Sequence, residues 1–429
     1  MLTSLPHLVR RPALASLSSR TLPATLMMEP ALAMVDPVAA SSTTLAFADQ
    51  AGNLAGALFP ASLPPYLLFL YFIRQDVNGL SPTAKAGFTS LLGFVIATVA
   101  TSIISVKSYG LPLANCDWLH SGAEQLLSFT NIADVIGLKL TFDAFAASAS
   151  QGGAPATPAP SSGAIPVLAA VGGVATLTCI ATWLAAGGDL AAHTAYLGGV
   201  GNLPDGLWTL GFFDEPANAL SLPTWVIHIS SLLEWLVAMG LVWRIGTVSG
   251  NPRWKGLTWA MIPSHSSGVC ACVYHFFYNA ESLQFIVLLQ AALTLLGNTT
   301  LAFAAWRLAA SNGWTFTLPK FGDSAGEEDD QAAVAAEAQR SQAPGVAASD
   351  AAAVDSSGGD ASGLLLVLAA SIVGSYVIKY GETLLPFVAD GDSPAVPIVA
   401  TLMVVTATGF NCWKWFQRSQ EEGDFGGLI

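Results

Sequence analysis

The chain has 429 residues, of which 53% are hydrophobic and only 10% charged, and its mean hydropathy is +0.55. About a quarter of an ordinary globular domain is charged, so this composition excludes a disordered chain and a basic nucleic-acid binder, and it points to several membrane-spanning helices. Five scattered cysteines, none at zinc-site spacing, exclude a secreted disulfide scaffold.

The first 28 residues hold Arg10, Arg11 and Arg20, no acidic residue, and many Ser, Leu, Thr and Ala. That is the composition of an organelle transit peptide, and residues 1–50 read as that peptide with a flexible lead-in. A spanning helix needs about 20 mostly apolar residues. Nine stretches qualify: 54–73, 87–106, 119–140, 164–186, 222–243, 257–278, 283–306, 363–388 and 394–416. The third carries Glu124 and Asp134, and the first is interrupted by Pro60, Pro64 and Pro65. The fold expected is therefore all-α, a polytopic integral membrane protein of about nine transmembrane helices. Its parts are a three-helix domain at 51–147, an Ala/Pro/Gly/Ser linker at 148–163, a four-helix domain at 164–310, an acidic linker at 311–362 and a two-helix segment at 363–429. The run Gly198-Gly199-Val200-Gly201 has no flanking strand pattern and reads as a turn.

Charge is uneven. Residues 321–362 carry nine acidic side chains and only Arg340, a net −8 out of the chain's −13. Such a segment reads as a solvated spacer. Alternating the nine spans puts Arg74, Lys85, Lys139, Arg244, Arg253, Lys255, Arg307, Lys320, Arg340, Lys414 and Arg418 on one side and only Lys107 on the other, with Lys379 inside a span. By the positive-inside rule the C-terminus then lies on the cis, stroma-like face.

Ionisable residues within spans are costly and face the bundle interior. The fifth span holds His228 and Glu234; the sixth holds His265, Cys272 and His275. The short loop between these spans makes them antiparallel neighbours. At 1.5 Å per residue, Glu234 and His265 both lie roughly 18–20 Å from the trans end, and His228 and Cys272 roughly 9 Å from it, with His275 about one turn shallower. An intramembrane Glu234–His265 pair and a shallower His228, Cys272, His275 group are expected. His275 is about 60° round the helix from Cys272. His120 and Glu124, spaced i and i+4 on the third span, form a secondary polar cluster at the trans end. Three readings stay open: a satisfied polar network, a metal or haem site, and a proton-coupled path with Glu234 as the titrating carboxyl. No nucleotide-binding loop or Ser-His-Asp arrangement is visible, so no catalytic residue is assigned; no metal or cofactor is named.

Several strings carry a resemblance. Residues 221–235 (SLPTWVIHISSLLEW), 250–263 (GNPRWKGLTWAMIP) and 265–279 (HSSGVCACVYHFFYN) resemble the hypothetical chloroplast open reading frame forty-nine family of cyanobacteria and plastid-bearing eukaryotes. Residues 58–72 (LFPASLPPYLLFLYF) and 115–124 (NCDWLHSGAE) look like a second uncharacterised domain that is fused upstream in plants and algae. The resemblance implies a chloroplast membrane, the thylakoid first, and a link to oxygenic photosynthesis, and it brings no established reaction; with the basic-residue split the C-terminus is expected to be stromal. The leading expectation is a non-catalytic protein that assists biogenesis or organisation of a photosynthetic complex. Its partners would be membrane lipid and another photosynthetic membrane complex, with no nucleic acid. The alternative is a cofactor-binding or proton-coupled transport protein using the His/Glu/Cys cluster.

Overall fold

The computed structural model describes residues 52–151, 218–316 and 359–423, with 191–192, 196–197, 200–201 and 215–216. The transit peptide, the span expected at 164–186 and nearly all of both linkers lie outside these residues. In chain order the helices are α1 (Leu63–Ile73), α2 (Pro82–Tyr109), α3 (Asp117–Gln151), α4 (Leu222–Val248), α5 (Arg253–Ala260), α6 (Ile262–Phe276), α7 (Gln284–Ser311), α8 (Gly359–Glu382), α9 (Pro386–Ala389) and α10 (Ala395–Glu421). Among the described residues the fold is all-helical apart from a two-rung antiparallel ladder pairing Tyr196 with Gly201 and Leu197 with Val200. Of the Gly-rich run read as a turn, the described residues Val200 and Gly201 belong to this ladder.

Six helices among the described residues are long and apolar enough to cross a membrane: Gly52–Ile73, Pro82–Tyr109, Leu222–Val248, Glu281–Ser311, Leu365–Glu382 and Ala395–Glu421. Of the three other spans expected, the one at 164–186 lies outside the described residues, and the third and sixth differ for separate physical reasons. The third candidate is a helix of 35 residues, but Asp117, Glu124, Asp134, Lys139 and Asp143 break its apolar run. The sixth is cut into α5 and α6 at Met261. Pro263 has no N–H to donate to the carbonyl four residues back, which ends the first helix there. Trp235 Nε1 reaches across from α4 to donate to Met261 O, at the division, at 3.2 Å. The eighth, counted among the six, stops at Glu382 rather than running to 388.

Burial orders the bundle. Half of the apolar window of α4 is buried, against 6% for that of α2, so α4 is central and α2 peripheral. Outward residues such as Ile96, Leu366 and Val377 are apolar and exposed, as contact with membrane lipid requires. The α2–α3 pair is close because both helices are small where they cross. A Cβ on Gly137 would collide with the backbone of Ala84. Ser81 caps α2 by accepting from Ala84 N at 3.2 Å and donates to Gly137 O at 2.7 Å.

The two ends of the bundle differ in charge. At one end Asn312 joins Asn251 and Asn78 at 2.8 and 3.0 Å, and Arg244 lies 4.4 Å over the Phe142 ring. These contacts gather Arg74, Lys85, Lys139, Arg244, Arg253, Lys255, Arg307 and Arg418 at that end. There Glu422 accepts from Lys255 Nζ at 2.7 Å, Trp243 Nε1 at 3.0 Å and Arg418 Nε at 3.1 Å, tying the last helix to α4 and α5. Burial alone raises the Glu422 carboxyl, but the hydrogen bonds from Lys255, Trp243 and Arg418 outweigh it and hold the group below its ordinary 4.5.

Two outcomes are expected. Gly137→Val should lower stability by about 1–3 kcal/mol through overpacking, whereas Gly93→Val, whose Cβ would meet nothing within 4 Å, should be neutral; thermal midpoints in detergent compare them. Glu422 has a depressed carboxyl, so its contribution is complete above pH 4.5 and is lost as pH falls through the folded value. The melting temperature should drop on acidification below pH 4.5, and Glu422→Gln should shrink that drop.

Candidate functional site

Three hydrogen-bond pins at the less basic end bring distant segments together. Asp117, the first residue of α3, accepts from Ser221 N at 3.0 Å and from Thr224 Oγ1 at 2.8 Å. Ser221 is the N-cap of α4 and makes no cap of its own, so the α3 carboxylate answers an otherwise open helix start. One turn further along each helix, His120 on α3 and His228 on α4 then face each other. The third pin is Asn279, which donates to Ala114 O at 2.9 Å and to Asn115 Oδ1 at 2.5 Å. It ties the end of α6 to the turn before α3 and brings His275 alongside His120.

The result is a group of three buried imidazoles. Ring centroids are 5.0 Å apart for His120–His228, 4.8 Å for His120–His275 and 5.0 Å for His228–His275. One ring nitrogen of each lies within 4.8 Å of the other two. His120 Nδ1, His228 Nε2 and His275 Nδ1 are all buried without a hydrogen-bond partner. His120 Nε2 faces Glu124 Oε1 at 3.8 Å, one turn along the same helix and beyond hydrogen-bond length. Tyr278 and Asn279, with φ of 50° and 59°, follow the end of α6 in the left-handed region, three and four residues after His275. Asn tolerates that region; Tyr is rare in it.

His228 and His275 meet as depth counting indicates, and the structure adds His120, which the sequence placed only in a secondary cluster. Cys272 is not among the three. It stands within electrostatic reach of Glu124, consistent with a position rotated from His275 on α6. No hydrogen bond joins Glu234 to His265 among the described residues. Asn131 of α3 donates instead to Ser231 O of α4 at 3.4 Å, and His265 Nδ1 lies 3.4 Å from Asn411 Nδ2. The cause is packing order. Helix α3 lies against α4 and supplies Asn131, while α10 lies against α6 and supplies Asn411. Equal depth on consecutive helices was not enough. Glu234 Oε2 and His265 Nε2 each remain without a partner. Between α3 and α4, Ser128 Oγ continues the polar seam to Ser230 and Ser231 at 3.0 and 3.1 Å.

Removing the third pin tests this construction. Asn279→Ala should cost about 1–3 kcal/mol by orphaning buried acceptors, plus backbone strain at φ 59°. Asn279→Gly should lose the bonds but not the backbone freedom, so it should unfold between Ala and wild type in a detergent melt.

Comparison with known proteins fits this division of the site. A family model described as "Protein of unknown function (DUF3593)" matches residues 55–143, and one described as "Protein of unknown function (DUF2499)" matches residues 219–307. His120 lies in the first region; His228 and His275 lie in the second. A "Ycf49-like protein" of Synechocystis sp. is 52% identical over 89 residues, covering 21% of this chain and 86% of the relative. An "Uncharacterized protein ycf49" of Cyanophora paradoxa is 38% identical over 87 residues, covering 20% of this chain and 85% of the relative. No solved structure matches. The chain therefore belongs to the Ycf49 family, with a second domain of uncharacterised function fused to it.

Proposed function

We propose that this membrane protein holds one divalent transition-metal ion on His120, His228 and His275. The observation that carries the reading is the convergence of three buried imidazoles, each with a partnerless ring nitrogen. Neutral imidazole suits zinc, copper, iron or nickel, and three His ligands leave a fourth position open. Metal–nitrogen bonds of about 2.0–2.1 Å would draw the nitrogens closer than 4.8 Å, a small inward movement of the rings. A bare ion fits better than haem, because rings with centroids 4.8–5.0 Å apart leave no room for a porphyrin plane between them.

The setting is part of the proposal. The resemblance to a chloroplast reading frame, and relatives in a cyanobacterium and in Cyanophora, support a plastid membrane, the thylakoid first. The basic end of the bundle, which carries the end of α10, supports a stromal C-terminus. In that setting the protein assists biogenesis or organisation of a photosynthetic complex without turnover of its own. A null strain with unchanged levels of every photosynthetic complex would overturn that role.

The metal reading has its own test. Purified, chelator-treated protein should take up about one Zn²⁺ or Co²⁺ per chain. Co²⁺ should give the visible absorption of a low-coordinate nitrogen site. His228→Ala with His275→Ala should abolish uptake, and Glu124→Gln should weaken it by roughly 10–100-fold. No uptake at micromolar metal, or equal uptake when all three histidines are replaced, would sink the reading.

A further inference from the structure

We infer that Tyr278 is a positioning residue for His275, holding its imidazole where a metal ion can join it to His120 and His228. This role presupposes the metal site proposed above. His275 is the last residue but one of α6, a helix of 15 residues. Helix ends leave carbonyls open and fray, so an imidazole there has the least secure backbone of the three. His120 and His228 belong to helices of 35 and 27 residues whose starts are joined through Asp117.

Two hydrogen bonds close the end of α6. Asn279 N donates to Tyr274 O at 3.0 Å, and Tyr278 N donates to His275 O at 2.9 Å. With Phe277 as the C-cap this is the Schellman closure, and Tyr278 stands at the position that glycine usually fills. The reason for glycine is steric. The closure needs a left-handed backbone, here φ 50°, which a residue with a Cβ resists. A tyrosine is held there at a cost, and such a conformation persists only where the surroundings over-determine it.

The surroundings of Tyr278 do so. Its carbonyl accepts from Asn218 Nδ2, just ahead of α4. Its side chain is 8% exposed and belongs to the buried cluster of Phe277, Leu283, Ile286, Val388 and Val396, which draws on α7, α9 and α10 as well as the end of α6. Glycine would close the helix with less strain but would leave its last turn without this anchor. The anchored residue is also the one whose N–H binds the His275 carbonyl, so the ring acts on His275 through a single hydrogen bond.

Metal binding puts that anchor to use. Bonds of about 2.0–2.1 Å require the three nitrogens to close in from separations of up to 4.8 Å. A last turn free to fray would have to be ordered as the ion binds, which weakens binding; a turn already fixed avoids that cost.

The test uses full-length protein in detergent, freed of metal and titrated with Co²⁺, with the apo forms melted alongside. Tyr278→Phe keeps the ring and should bind with wild-type affinity and the wild-type visible spectrum. Tyr278→Ala and Tyr278→Gly lose the ring, and both should bind roughly 10-fold more weakly, with a changed spectrum. Of those two, Tyr278→Gly relieves the backbone and should melt about 2–4 °C above Tyr278→Ala. A merely structural residue would make affinity follow the melt; the expectation here is higher stability in Tyr278→Gly without higher affinity. Tyr278→Asn, which tolerates the left-handed region and lacks the ring, replaces either variant that does not fold. No uptake by the wild type would overturn the metal site and this role together. Uptake by the wild type with unchanged affinity and spectrum in the ringless variants would overturn the role of Tyr278 alone. So would a loss in Tyr278→Phe as large as theirs, or affinity that recovers in Tyr278→Gly.

Discussion

Asp117 is a carboxylate, 2% exposed, at the start of a helix, and nothing on its own helix answers it. In a bundle that sits in lipid such a group needs donors from elsewhere. It finds them in the N–H of Ser221 and the hydroxyl of Thr224, which belong to a segment more than a hundred residues away. The same contact serves both partners, because the start of α4 has open N–H groups of its own. Two regions that match separate families are thereby registered against each other at one level. The facing of His120 and His228 follows from that register, and the Asn279 contacts bring His275 to the same level.

Much of the architecture is legible in hydropathy. Six of the nine expected spans coincide with helices that are long and apolar enough to cross. Of the basic residues that alternate onto one side in the sequence, eight of the described ones, Arg74, Lys85, Lys139, Arg244, Arg253, Lys255, Arg307 and Arg418, lie at one end of the bundle. What hydropathy cannot show is which helices touch. That depends on small residues at crossings, such as Gly137 against Ala84 and Gly297 against Ser264, where backbones come close enough to exclude other neighbours. Consecutive helices were assumed to pair their polar groups, and α3 and α10 intervened. Pro263 was visible in the string, but a proline in an apolar run is compatible with a kinked span as well as a cut one. His120 carried a usable signal: it lies at the depth of His228 and His275, and its i+4 carboxylate marks it as facing protein rather than lipid.

The fused organisation has a direct bearing on the site. The Ycf49-type region contributes two imidazoles on two helices, and the upstream region contributes the third together with the adjacent carboxylate of Glu124. The match takes up 86% of the Synechocystis relative, leaving that protein little length for an upstream region of the kind seen here. In this chain the two regions share buried polar groups as well as apolar surface, with Ser128 bonded to Ser230 and Ser231 across their boundary.

The separation of the Asp117 contact along the chain also has an entropic side. Asp117 and Thr224 stand 107 residues apart, so their contact closes a loop of that length in the unfolded chain. The cost of closing a loop grows only with the logarithm of its length, by about 0.6 kcal/mol for each doubling. Halving the intervening segment would therefore favour the contact by no more than about 0.6 kcal/mol. The length of chain between the two regions is nearly free to vary, so long as the carboxylate and its two donors are kept.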